Sequence, residues 1–535
     1  MLATALAACA TPPPRAAESY ADVLIARVAS ARADYDVATE RYLSAMRRTP
    51  GDRTAVEGAL TAALAAGDAD RAEAIARGIV WDDAPGNAHL VRAAVAIRDR
   101  NWARARAEVD RVEAAAGEQL VARMLSIWVD TGQGRVDNVL MDLGPLAQVQ
   151  PYGALFAYQQ AMALDLSGRD DAALTAYNTA RQGAVLLPTA ALRHADLLAR
   201  RGDEAGARAV LTGEGADQQA ALARLDSGRP VAPAPLTAAR AGSISLHGLA
   251  LIFQREGDPA TGLSTLTLAM ILDPQSDAAL VSFAQALSAS RRAEAALEML
   301  ARVPATSDYA PVARRMEAWV LFDSDRKDEA LVRAHALAQS GDARDLKTLA
   351  DLYRAVGQFA EAEPLYASLA EQAPDDWRLR FALGATRERL GRWDEAEADF
   401  RRALAISPDQ PEVLNYLAYG WVERGERLTQ ALAMLERAAS QRPDSAAIID
   451  SVGWAHFRLG DYERAVEFLE RAVALEPADA ILNDHLGDVY WRLGRRLEAR
   501  FQWRRALSLQ PDNASALEQK IANGLPQADQ RLARE

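Results

Sequence analysis

The sequence predicts an all-α fold, an α-solenoid of stacked helical hairpins, and three observations carry that expectation. The chain has 535 residues, 50% of them hydrophobic but only 6% aromatic. That length exceeds a single core, and the alanine-rich composition favours close-packed helices. Near the C-terminus five segments close on proline, at Pro374, Pro408, Pro443, Pro477 and Pro511, with spacings of 34, 35, 34 and 34 residues. Small residues then recur at fixed offsets. Ala362, Ala396, Ala431, Ala465 and Ala499 stand twelve residues before each proline, and Leu369, Ala403, Ala438, Ala472 and Ala506 stand five before it. Self-similarity at this period marks a repeat array.

Each offset has a mechanical reading. Small residues let two antiparallel helices approach closely. Gly357, Gly391, Gly425, Gly460 and Gly494 permit the turn between them. Proline followed by Asp or Asn stops one helix and caps the next. Upstream the pattern weakens but persists: Leu249, Ala250, Phe253, Gly257, Ala269 and Pro274 fall in register, as do Tyr158, Gly168, Ala173, Tyr177 and Ala180, and Ala26, Ala38, Tyr42 and Ala45 before Pro50. Residues 85–150 and 300–342 read as helical without clear boundaries. The stretch DSGRPVAPAPLTAARAGS concentrates Pro230, Pro233 and Pro235 without apolar periodicity, which predicts an extended linker or a loop.

Composition narrows the function. With 61 basic and 74 acidic residues the net charge is -13, which opposes attraction to phosphate backbones and argues against a nucleic-acid partner. Cys9 is the single cysteine, so neither a disulfide framework nor a multi-cysteine metal site is expected. No apolar run reaches the length of a membrane-spanning helix. His89, His194, His247, His335, His456 and His485 are dispersed without ligand spacing, and no nucleophile elbow or phosphate-cradling loop occurs. The chain is expected to be non-enzymatic, without cofactor, metal or small-molecule substrate.

Residues 446–479 resemble a tetratricopeptide repeat through Gly453, Ala465, Ala472 and Pro477; residues 480–513 match through Leu486, Gly487, Tyr490, Ala499, Trp503, Ala506 and Pro511. The resemblance implies a tetratricopeptide superhelix in which the first helix of each hairpin lines a concave, protein-binding face. On that face the candidate contact residues are Asn415, Tyr419, Asp450, Trp454, Phe457, Arg458, Asp484, Asp488, Trp491 and Arg492. Large aromatics beside Arg and Asp suit an interface hot spot. The carboxylate-clamp subgroup, which grips chaperone tails with lysine and asparagine across three repeats, is disfavoured because these three repeats lack lysine.

Residues 413–507, with the GERLTQA expansion and the IIDSVGW and HLGDVYW elements, look like the C-terminal repeats of the bacterial outer-membrane tetratricopeptide lipoproteins that partner periplasmic carboxy-terminal processing proteases. That resemblance implies a scaffold holding a protease and its cell-wall hydrolase substrates together. Two alternatives stay open: a structural component of an envelope assembly for polysaccharide export, pilus or outer-membrane biogenesis, and a soluble cytosolic adaptor. Leu6-Ala7-Ala8-Cys9 fits the lipobox pattern, so Cys9 is the expected lipidation site, facing the periplasm from the outer membrane. The expected organisation is a truncated lipoprotein signal remnant and tether over 1–18, a degenerate array over 19–225, a proline-rich linker over 226–242, a C-terminal superhelix over 243–524 and a polar tail over 525–535.

Overall fold

The computed structural model describes residues 14–526 apart from 82, 113–115, 150, 184–186, 188, 214 and 512. Among the described residues the secondary structure is thirty helices and no strand. In order they are α1 (Pro14–Ala31), α2 (Tyr35–Arg48), α3 (Arg53–Ala66), α4 (Ala69–Gly78), α5 (Gly86–Arg98), α6 (Trp102–Val109), α7 (Ala116–Gly132), α8 (Val136–Leu146), α9 (Gly153–Leu166), α10 (Asp170–Arg181), α11 (Ala190–Arg200), α12 (Glu204–Val210), α13 (Ala216–Asp226), α14 (Ala238–Arg255) and α15 (Pro259–Leu272). There follow α16 (Asp277–Ala289), α17 (Ala293–Ala301), α18 (Ala310–Asp323), α19 (Lys327–Ala338), α20 (Ala343–Ala355), α21 (Phe359–Gln372), α22 (Trp377–Arg389), α23 (Trp393–Ile406), α24 (Pro411–Arg424), α25 (Leu428–Gln441), α26 (Ala446–Leu459), α27 (Tyr462–Leu475), α28 (Ala480–Arg492), α29 (Arg496–Ser508) and α30 (Ala514–Asn523). The chain divides into two compact units, residues 1–333 and 334–535.

In the second unit the expected glycine and small-residue roles hold. Gly425 and Gly460 end α24 and α26 in the left-handed region, at φ 71° and 85°, where a side chain would be strained. Close approach explains Gly453: a Cβ there would meet the Leu469 side chain at 2.7 Å and the Ala465 carbonyl oxygen at 3.2 Å. Capping departs from the expectation. The cap sits two residues beyond the proline, where Asp376 accepts from the Arg378 amide and Asp479 accepts from the amides of Ile481 and Leu482. Gln410, Ser445 and Asn513 hold the same position without a side-chain cap bond.

The first unit is not a simple stack. The helices α3, α5, α7 and α9 all pack against the hairpin α14–α15, and one continuous core runs from Val23 to Leu272. Trp128 of α7, fully buried, donates its Nε1–H to Ser245 Oγ of α14 at 3.1 Å. Thr267 Oγ1 of α15 donates to the Leu64 carbonyl oxygen at 2.6 Å. The sequence of α15 suits this site. From Gly262 to Leu272 nearly every side chain is buried, and a helix apolar all round needs neighbours on every side. The array also closes on itself: Arg292, just before α17, is 2.5 Å from Asp36 of α2.

The proline-rich stretch differs from the expected linker. Asp226 ends α13 and α14 starts at Ala238, so residues 227–237 form the crossing that carries the chain from α13 to the faces of α5, α7 and α9. The crossing is packed. Val231 and Ala232 are buried, the Ala232 amide donates to Asp196 Oδ1 at 3.1 Å, and Arg224 Nε donates to the Val231 carbonyl oxygen at 2.8 Å. Three prolines here remove three backbone donors that would otherwise need partners. The division between compact units lies a hundred residues further on, inside α19. Of the expected tail, Leu525 joins the last core and residues 527–535 lie outside the described residues, as does Cys9.

Candidate protein-binding face

In the second unit α24 touches α26 and α26 touches α28 directly, while α25, α27 and α29 approach their counterparts less closely. First helices thus crowd one side and second helices spread on the other, so this part of the array curves with α24, α26 and α28 inward. Those three helices carry the ten candidate residues.

The centre of the face is a stack of rings. Trp454 lies parallel to Phe457, with centroids 4.6 Å apart, and parallel to His485 of the next repeat at 4.0 Å. Its Nε1–H donates to Glu423 Oε1 of the preceding repeat at 2.5 Å, and Arg458 donates to the Glu423 carbonyl oxygen at 3.1 Å. His485 Nδ1 is 2.9 Å from Asp450 Oδ2. Burial disfavours charge on this imidazole, but the Asp450 carboxylate outweighs it and raises the His485 pKa above its ordinary value. Trp454 and Phe457 are half-buried and Asp450 is buried. Tyr419 and Asn415, one repeat earlier, are also half-buried, and Asn415 Oδ1 is enclosed without a hydrogen-bond partner.

The other four candidates are taken up by the chain's own C-terminus. Lys520 of α30 places Nζ 2.6 Å from Asp484 Oδ1 and 2.8 Å from Asp488 Oδ1. Asp488 also accepts from Trp503 Nε1 at 2.9 Å. Burial pushes the Asp488 pKa up against the pull of Lys520. Gly524 sits so close on Trp491 that a Cβ would fall inside the indole, and Arg492 donates to the Pro526 carbonyl oxygen at 2.7 Å. Sequence reasoning missed His485, Glu423 and Lys520. The signal for His485 was its place one residue after Asp484 on a first helix; the lysine absent from the three repeats themselves comes from the helix beyond them.

Among the described residues no group of three His, Cys, Asp or Glu side chains could hold a metal ion. No described helix is long and apolar enough to cross a membrane.

Residues 347–411 and 482–513 match tetratricopeptide repeat profiles, and residues 453–494 match a TPR repeat profile. Over those residues the chain carries tetratricopeptide repeats. A TPR repeat-containing protein of Pseudomonas aeruginosa is 27% identical over 168 residues, 31% of this chain and 28% of that relative. The match therefore spans less than a third of the relative's length. Two solved structures are among the matches. A tetratricopeptide repeat protein from Parabacteroides merdae covers 46% of this chain and 98% of its own at 18% identity and TM-score 0.39. The APC/C hetero-tetramer Cut9–Hcn1 covers 96% of this chain and 97% of its own at 14% identity and TM-score 0.42. Tetratricopeptide repeats generally mediate contacts between proteins, and the face built on α24, α26 and α28 is the candidate site.

Proposed function

We propose that the chain is a non-enzymatic scaffold that captures other proteins on the inner face of α24, α26 and α28. The observation that carries this reading is the half-buried ring stack of Trp454 and Phe457, pinned from both neighbouring repeats by Glu423 and by the Asp450–His485 pair. Rings whose geometry is fixed before binding lose little freedom on contact, which is the property of an interface anchor. In the first unit the faces of α3, α5, α7 and α9 are filled by α14–α15.

The finer reading follows the sequence resemblance. Cys9 carries a lipid anchor in the outer membrane, the repeats face the periplasm, and the captured proteins are a carboxy-terminal processing protease and its cell-wall hydrolase substrates. Holding both on one array raises their effective concentration without any chemistry of the scaffold's own. The deciding experiment is a pull-down from detergent-solubilised membranes with the wild-type chain and with Trp454→Ala/Phe457→Ala. Recovery of protease and hydrolases by the first and not by the second, at unchanged helix content, is expected. Equal recovery overturns the site, and recovery of an export channel instead overturns the protease reading.

A further inference from the structure

The first helix is apolar on two sides. Toward α2 it buries Val23, Ala26 and Ala29. On the opposite side Tyr20, Leu24, Ile25 and Val28 are 74%, 54%, 44% and 47% exposed. A solvated helix face ordinarily carries the charges, yet here the acidic residues are engaged with α2: Asp22, 5% exposed, accepts from Ser44 Oγ at 2.8 Å and pairs with Arg41 and Arg48, and Glu18 also pairs with Arg48. The charges remaining beside the apolar residues are those of Arg27 and Arg32.

We propose that this face of α1 lies on a lipid bilayer. The inference rests on the lipid-anchor reading of Cys9 and extends it from a tether to a docking surface. Two arguments select the bilayer. Five residue steps separate Cys9 from the start of α1 at Pro14, a reach of at most about 18 Å. A lipid on Cys9 would therefore hold α1 beside the membrane whatever path the tether takes. The chemistry of the face also fits, because tyrosine, branched aliphatics and flanking arginines are the side chains that settle at the headgroup boundary. Against a second copy of the chain stands area: four side chains on one helix fall well short of the roughly 800 Å² per partner of a stable protein interface. The consequence is orientation, since an anchored chain docked through α1 presents its first repeat to the lipid.

The test separates docking from anchoring. The full chain carrying Cys9→Ser cannot be acylated at that position; its partition onto vesicles of phosphatidylethanolamine and phosphatidylglycerol reads α1 alone. It should float with the vesicles, and adding Tyr20→Ser, Leu24→Ser and Val28→Ser should lower the partition about tenfold or more at unchanged helix content. Tyr20→Trp should place an indole whose emission brominated lipids quench. No partition of the Cys9→Ser chain, or partition unaffected by the three serines, overturns the proposal. So does self-association of the chain that the three serines abolish, which would assign the face to a second copy. The anchor is read independently from the intact mass of the mature N-terminus. An unacylated Cys9 overturns the anchor and leaves the flotation result to decide the docking face.

Discussion

Trp454 lies flat against His485, ring centroids 4.0 Å apart and planes 11° from parallel, so the orientation of one repeat's indole is set by the next repeat's histidine. The same histidine neutralises buried Asp450. Replacing His485 with alanine removes both contacts and leaves a buried carboxylate unpaired, which should cost about 3–5 kcal/mol. Thermal unfolding of the variant checks the magnitude. Asp450→Asn in the same background should restore part of the loss, because the stranded charge is then gone.

His485 should respond to pH in the opposite sense to His194 and His247. The His485 pKa is raised by Asp450, so its contribution is complete below the ordinary value near 6.5 and fades as pH rises through the folded value. His194 and His247 are lowered to about 4 by burial, aided for His194 by Arg181. Their contribution is complete above about 6.5 and fades as pH falls toward 4. Ring-proton NMR titration should find His485 titrating above the ordinary range and the other two far below it; coincident midpoints would contradict both assignments.

Lys520 supplies the cation for Asp484 and Asp488. In Lys520→Met the two buried carboxylates face each other uncompensated, and stability should fall by about 3 kcal/mol near neutral pH. The Asp488 carboxyl, whose pKa burial raises, then binds a proton preferentially in the folded state, so the deficit should narrow on acidification. A deficit of constant size from pH 7 to pH 4 would mean that lost packing, not charge, explains it.

Trp128 fastens α14 to α7. Trp128→Ala removes a fully buried indole and should cost about 3–5 kcal/mol, loosening the hairpin from the faces it fills. Limited proteolysis should then cut within 227–237, which the wild-type packing of Val231 and Ala232 protects. Unchanged resistance would show that α3, α5 and α9 hold the hairpin without α7.

The repeats from α22 to α29 were legible because their periodic residues act locally. Gly453 needs only Leu469 and Ala465, both within one hairpin, and the period reports such needs directly. The destination of α14–α15 was not legible. Leu249, Ala250, Phe253 and Ala269 fit the repeat register wherever the hairpin docks, and periodicity does not name the neighbour across the face. The same limit applied to the candidate site. Trp454 and Trp491 have equivalent standing in the sequence, yet Gly524, just past α30, packs on Trp491 while Trp454 stacks on Phe457 and His485. His485 was read as one of six dispersed histidines because the Asp450 that pairs with it lies 35 residues away. Long separation also hid Arg387, which joins Glu363 to the fully buried Asp399.

The bond from Thr267 to Leu64 spans 203 residues. During synthesis the helices α3, α5, α7 and α9 emerge first and wait, their inner faces uncovered, until α15 leaves the ribosome. The first unit therefore cannot gain stability one repeat at a time, as a chain of nearest-neighbour modules does. Its folding should be slower and more cooperative than that of the second unit, whose contacts are local. A scaffold assembled this way has a late-committing half near its N-terminus and a half that can fray and re-form repeat by repeat at its C-terminus.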